Sequence, residues 1–532
     1  MSGIVIGPFN GLMPRVSSKL LDDSYAQIAS NCYLSRGKLE PSKAPQNTAV
    51  SLNSNTKTIY WFNREANSGN GYWFQWSGDV NVVRGPIAND TSLRTYFTGN
   101  GVPKYTTAAL GQTGSGPYPG ASRDLGIPAP GAPMATGPSG DPPSGSQRVS
   151  TAYVITYVSD LGEEGPPSLP SAIVDRWDGA TVNLSGLSVP TGNFVITQKR
   201  IYRAELNGVY QYVGAVPVAT TIFADDVYSE SLGEPVPSTA WDAPNASMIG
   251  LTALPNGILM GWWGNTIAFS EAYQPHAWPV GYRLALDYDV VGAAVSAYGV
   301  IVVTKGTPYL VAGNSPESMS VAKMDIALAG VSKRSVVDMG DYVIYASANG
   351  LAAVGGTDAR LITEPHITPE QWRSMFKPDS IHAYRWDDRY LGFYNNGTTS
   401  GAFSFHPQEG FRLFTDYADC AFLDDQSGDL YVKQGTLLKK WNTGVNTPYT
   451  WRSKIFTVPP GQVYSACKVD ADGYPVSLSF YIDGVLAKAI SVTSKKPFRL
   501  PTTNRYREAE IQLSGSAPIN LVQIGKSMSD IL

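Results

Sequence analysis

The sequence predicts an all-β protein: a β-propeller of about six blades, interrupted by a fibronectin type III or immunoglobulin-like sandwich and followed by a C-terminal β domain. Three observations carry this. First, in the second half of the chain, paired apolar runs flank turn glycines at Gly264, Gly306, Gly350, Gly397 and Gly435, spaced by 42, 44, 47 and 38 residues. A hairpin recurring at this interval matches a propeller blade of roughly 40–50 residues. Second, Asn349-Gly350 and Asn396-Gly397 are dipeptides suited to tight hairpins, where central residues take positive φ. Third, 53 Gly, 38 Pro, 30 Tyr and 12 Trp with only 16% charged residues fit turn-rich β structure with aromatic edges.

Taken in order, residues 1–45 lack β alternation and read as an N-terminal arm. LLDDSYAQIASNCYLS predicts a short helix from Asp22 or Asp23, with Tyr25, Ile28, Ala29 and Cys32 at helical spacing. Residues 46–110 hold TIYWF, GYWFQW, DVNVV, LRTYF and VPKYT, which supply the first blade or blades, with a sixth hairpin expected around Gly78. Whether the turns at Gly78 and at Asn100-Gly101 belong to one blade or two leaves the count at six or seven. Residues 111–148 are so dense in Gly and Pro that an extended connector without packed elements is expected. Residues 149–240 return to alternation, with strand-like runs broken by frequent turns and no cysteine pair, so the fibronectin variant is favoured. The remaining blades follow over 241–448. A helix within 368–380 interrupts them, opened by a Thr368/Gln371 capping box. Residues 449–532 form the C-terminal β domain, either a small sandwich or a piece that helps close the ring.

At 532 residues the chain is long enough for about three domains. Its net charge of −4 gives no basic surplus for gripping phosphates. MSGIVIGPFNGLMPR lacks the basic start and apolar core of a signal peptide, and no apolar run reaches membrane-spanning length. Cys32, Cys420 and Cys467 are odd in number and far apart, so free buried thiols in a reducing compartment are expected.

The chemistry-bearing patterns are weak. IGKS at the C-terminus has Asn520 where a phosphate loop needs its first glycine. DADG at 470–473 has its glycine too early for a calcium loop. Asp225-Asp226, Asp387-Asp388 and Asp424-Asp425 are adjacent residues expected at solvated turns, since neighbours on a strand face opposite ways. Carboxylates from different blades meeting in a central channel remain an open arrangement. None of the five turns carries the sialidase-type Ser-x-Asp-x-Gly-x-Thr-x-Trp pattern. His276, His366, His382 and His406 are isolated, which predicts no zinc site. The aromatic clusters Tyr60-Trp61-Phe62, Tyr72-Trp73-Phe74 with Trp76, and Trp262-Trp263 are read as blade cores and seams before sugar- or base-stacking surfaces. A non-enzymatic protein without cofactor or metal is expected.

Short islands along the chain resemble a family of bacteriophage virion proteins, the tail nozzle or packaged-DNA stabilisation proteins of short-tailed phages. They are Phe9-x-Gly11-Leu12-x-Pro14-Arg15, then Leu21, Ala26-Gln27, Ala29, Asn31, Leu34, Gly37, Leu39 and Pro41; LGIPAP at 125–130; YVITYVSDLGEEGPPS at 153–168; KRIYRAE with YQYVGAV; Trp451-Arg452-Ser453-Lys454; FRLP; REAEIQLSG; and the closing KSMSDIL. The resemblance implies a structural subunit of the phage tail, assembled in the host bacterial cytoplasm as a homo-oligomer, typically a hexamer, below the portal and its adaptor. Its partners would be further copies of itself, the portal-adaptor (head-to-tail connector) protein and tail fibre or tail needle proteins. DNA would pass through the channel without sequence specificity. Phe9, Leu12, Pro14, Arg15, Leu20 and Leu21 are the expected adaptor contacts, on an arm that either orders on a neighbour or straps across its own propeller. The alternative is a carbohydrate-binding or depolymerising tail receptor-binding protein built on a propeller.

Overall fold

The computed structural model describes residues 3–34, 36–62, 72–205, 208–501 and 506–531. Gly71, at the head of GYWFQW, and Leu532, at the end of KSMSDIL, lie outside them. The described chain is nearly all β, arranged in many small sheets.

Four antiparallel four-stranded sheets are built from consecutive strands, with first strands Asn81–Arg84, Gly250–Ala253, Val290–Ser296 and Val337–Asp338, and a fifth run of four, opening with His382–Trp386, is one end of a ten-stranded sheet that continues through Ala26–Ser30, paired parallel at Ser30 and Leu413, into the C-terminal strands. A sixth, opening with Cys420–Asp424, takes its outer strand, Gln46–Ser51, from the other end of the chain. The hairpin of Thr58–Phe62 and Tyr72–Trp76 makes a seventh, two-stranded member. All five periodic turn glycines fall at the same place, between second and third strands. Four of them take positive φ: Gly264 at 50°, Gly350 at 151°, Gly397 at 93° and Gly435 at 62°. Gly306 is needed for another reason, because a Cβ there would run into the ring of Tyr288.

The Gly78 turn is a correction. Tyr72–Trp76 and Asn81–Arg84 on either side of it belong to different sheets, and the equivalent second-to-third turn is at Gly99-Asn100-Gly101. First strands of successive sheets lie side by side in chain order, and the Cys420–Asp424 strand lies beside Thr58–Phe62. The hairpin meets the 81–124 sheet through Thr58, whose hydroxyl donates to Gly78 O at 2.8 Å and accepts from Val80 N at 3.1 Å.

Each seam between neighbouring sheets has its own apolar cluster. Phe62, Phe74 and Phe97 join the hairpin to the 81–124 sheet. Tyr96 with Leu251, Met260 with Val302, and Val303 with Tyr345 fill the next three. Ile344 and Tyr390 share the large cluster, Phe393 and Val432 the following one, and Trp73 with Leu438 the last, back at the hairpin. The predicted aromatic clusters lie largely in these seams.

Residues 134–225 make two facing sheets, ordered Met134–Thr136, Val182–Ser185, Phe223–Asp225 and Val174–Arg176, Val149–Ser159, Ile196–Ala204, Gln211–Pro217. Tyr153, Ile155, Val182, Leu184 and Ile201 are buried between them. The Gly/Pro-rich stretch is therefore more than a connector. It supplies the edge strand Met134–Thr136 here and Arg123–Asp124 in the neighbouring sheet, where edge positions tolerate nearby prolines. Asp225 is also corrected: it is fully buried, not at a solvated turn.

The chain ends fold together. Ala26–Ser30 is a strand, not the predicted helix, and pairs antiparallel with Tyr449–Ser453. Ile4–Ile6 pairs with Ile519–Gly525 in a second sheet. Residues 449–525 thus form a sandwich completed by the N-terminal arm. The helix Pro369–Phe376 carries the expected box: Gln371 N donates to Thr368 Oγ1 at 3.3 Å, and Thr368 N donates to Gln371 Oε1 at 3.0 Å. Among the described residues no helix is long and apolar enough to cross a membrane.

Candidate functional site

A cleft of about 730 Å³ lies where the first strands converge. Thr58, Asn81, Val337, Ala383 and Ala421 bring five sheets to its wall. Two of its four cations come from the 3-10 turn Lys333–Ser335, which precedes the Val337–Asp338 strand. Lys333 Nζ donates to Ile249 O at 3.1 Å and stands 3.5 Å from Asp79 Oδ2. Burial lowers the Lys333 ammonium pKa against the opposing pull of Asp79. Arg334 Nη2 donates to Asp419 O at 3.1 Å. At the rim, Asp387 and Asp388 occupy a tight turn with φ of 51° and 53°, and Arg385 pairs with Asp388 at 2.7 Å.

Four cationic and five acidic side chains line the cleft, so it offers no positive surplus to a polyanion. Two of the three predicted Asp pairs, 387–388 and 424–425, contribute to this cleft, while Asp225 does not. Among the described residues no group of three or more His, Cys, Asp or Glu is placed to hold a metal. All three cysteines are free and buried, and burial pushes the Cys420 thiol up to about 12. Lys333 and Arg334 were not singled out from sequence. Their only signal is a basic dipeptide just ahead of a short strand.

A second polar site joins the inserted sandwich to the 81–124 sheet. Arg94 bonds Asp90 at 2.9 Å and Glu163 at 2.5 Å, and Arg123 bonds Asp160 at 3.0 Å. Although burial works against it, hydrogen bonds from Ser92 and Arg94 hold the Asp90 carboxyl down to about 2. His276 Nε2 lies 3.0 Å from Glu164 O, and burial lowers the imidazole to about 4, keeping it neutral. Inside the sandwich, Asp225 accepts from Tyr153 Oη at 2.7 Å and pairs with Arg203 at 2.7 Å and Arg176 at 3.2 Å.

The six expected adaptor contacts separate into two groups. Phe9 is fully buried with its ring edge-on to Trp451 at 5.0 Å, and Leu12 and Leu21 are buried too. Pro14 O accepts from Gln371 Nε2 at 2.9 Å. Arg15 donates to Glu364 O at 2.8 Å from an exposed position, and Leu20 is 78% exposed. The arm therefore straps its own chain, and Leu20 and Arg15 are the members left facing outward.

No family model matches the chain. No curated protein matches it either. Among solved structures, it is similar to PorZ, a bacterial surface component of the type-IX secretion system of Porphyromonas gingivalis, at 9% identity and TM-score 0.26, over 55% of this chain and 41% of that one. It is also similar to a quinonprotein alcohol dehydrogenase-like protein of Bacteroides thetaiotaomicron, at 9% identity and TM-score 0.26, over 59% and 94% of the two chains. A third, AztD of Citrobacter koseri, has 9% identity and TM-score 0.25, over 70% and 99%. The chain spans about two fifths of the length of PorZ.

Proposed function

We propose that this chain is a structural subunit of a short-tailed phage tail, a nozzle protein that works in several copies around a DNA channel below the portal and its adaptor. Its seven sheets are the blades of a closed propeller, seven and not six, with the 420–440 blade tied shut by Gln46–Ser51. The inserted sandwich and the terminal sandwich are appendages on that rigid body.

The observation that carries the reading is where the family-like islands meet. Those at the two ends of the chain come together in the terminal sandwich. Trp451 Nε1 donates to Asn10 O at 2.9 Å, between Phe9 and Gly11 of the first island. Gln27 Nε2 donates to Glu510 Oε2 at 2.6 Å, and Arg452 Nε donates to the same oxygen at 2.9 Å. Residues more than four hundred positions apart thus form one hydrogen-bonded unit. Scattered chance matches have no reason to converge in this way. The balanced axial cleft supports a body that does not grip DNA by itself.

Virions assembled without this chain test the reading. Capsids should fill and then lose their DNA, and labelled chain should be found at the tail vertex in about six copies. Stable, DNA-filled particles lacking the chain would refute it.

A further inference from the structure

A second cleft, of about 340 Å³, opens at the seam of the 337–361 and 382–414 strands. Its size is within the range of small-ligand pockets, about 300–1,000 Å³. The floor is apolar, made by Ile344, Ile362 and Phe405. Two tyrosines stand over it: Tyr298 is 60% exposed and Tyr342 39% exposed. Both sit in turns between first and second strands, held next to each other by the Ala297 N to Gly340 O hydrogen bond of 3.1 Å. Large aromatic rings left in water beside an apolar floor represent contact area that folding does not use.

The polar wall carries both signs. Asp358 and Arg360 alternate with Ile362 along the outer strand, so all three present one face to the cleft. Arg389 and Asp388 come from the opposite sheet, and Asp341 from the turn beneath Tyr342. Among the described residues Arg360, Asp341 and Asp358 form no ion pair. Arg389 spends its two Nη groups on Asp387 and Glu409, while its buried Nε has no partner. A buried donor left empty is costly and is expected to have an occupant.

We propose that this cleft binds a neutral saccharide unit. The C–H face of a pyranose covers a tyrosine ring, and hydroxyls both donate to carboxylates and accept from guanidinium groups, which suits a wall of mixed charge. An anion would meet Asp341, Asp358 and Asp388, and a cation would meet Arg360 and Arg389. The site is independent of the nozzle assignment and makes no claim of bond cleavage.

The test is saturation-transfer NMR and calorimetry on the full chain with a panel of glucose, galactose, rhamnose, N-acetylglucosamine and their disaccharides. At least one should bind with a Kd of about 1 mM or tighter. Tyr298→Ala and Arg360→Ala should each weaken binding about tenfold or more. Tyr298→Phe should retain it, and Tyr273→Ala, at an exposed tyrosine outside the cleft, should leave it unchanged. Because Tyr298 and Arg360 are exposed, unaltered melting will show that the variants fold. No binding by any panel member, or binding that is the same in every variant, overturns the proposal.

Discussion

The series of small sheets and the terminal sandwich bury their apolar surface by opposite routes. Most of the small sheets close on strands within about 45 residues of each other. The terminal sandwich puts Ile4 opposite Ile524 and Ala26 opposite Ser453. Local hairpins cost little loop entropy and can form in any order, whereas the sandwich waits for both chain ends. The difference teaches that the N-terminal arm is a structural member of the sandwich and also its bridge to the 382–414 strands, where Leu12 N donates to Phe411 O at 2.7 Å and Ser30 pairs with Leu413. It also ranks the perturbations that separate the two regions.

Removing residues 1–30 has the largest expected effect. It strips a strand from each sandwich sheet and uncovers Trp451, so limited proteolysis should cut within 449–531 and at the 409–413 strand the arm pairs with, while the sheets within 81–361 stay protected. Loss of both regions together would show that they form one cooperative unit. Next comes Asp225→Ala, which leaves two buried guanidinium groups facing each other and should cost about 3–5 kcal/mol by denaturant titration. That loss should stay within the inserted sandwich and spare the other two regions.

The polar joint of the inserted sandwich is expected to respond to acid. Folded His276 titrates at about 4 and an unfolded one near 6.5. Between those values the unfolded chain binds a proton that the folded chain refuses. Stability at this residue is therefore full above pH 6.5 and is lost as pH falls towards 4, by at most about 3 kcal/mol. His276→Gln should flatten that slope in pH-dependent melts. The smallest effect belongs to Thr368→Ala, which removes one cap oxygen from the Pro369–Phe376 helix and should cost about 1 kcal/mol.

Sequence reading succeeded where structure is local. The Gly264-to-Gly435 series marks one repeated turn, because alternation and glycine conformation are written into neighbouring residues. It failed where a partner strand is remote. YAQIASNC has Tyr25, Ile28 and Cys32 at helical spacing, yet Ile28 is exposed, and a bulge between Ala26 and Ile28 breaks the alternation that would have revealed a strand. Met134–Thr136 hid among prolines because it is an edge strand. Asp225 read as a turn residue because its counter-ions, Arg176 and Arg203, are 49 and 22 positions away. The 730 Å³ cleft was illegible for the same reason: Asp79, Lys333 and Asp388 meet only once separate sheets have packed together.

A cryo-electron microscopy map of assembled tails tests the central claim most directly. The account predicts about six copies around a channel wide enough for duplex DNA, each a closed seven-bladed ring whose terminal sandwich contains residues from both ends of its own chain. A map with the chain as single or threefold copies away from the DNA axis, or with residues 3–30 seated on a neighbouring subunit, would contradict it.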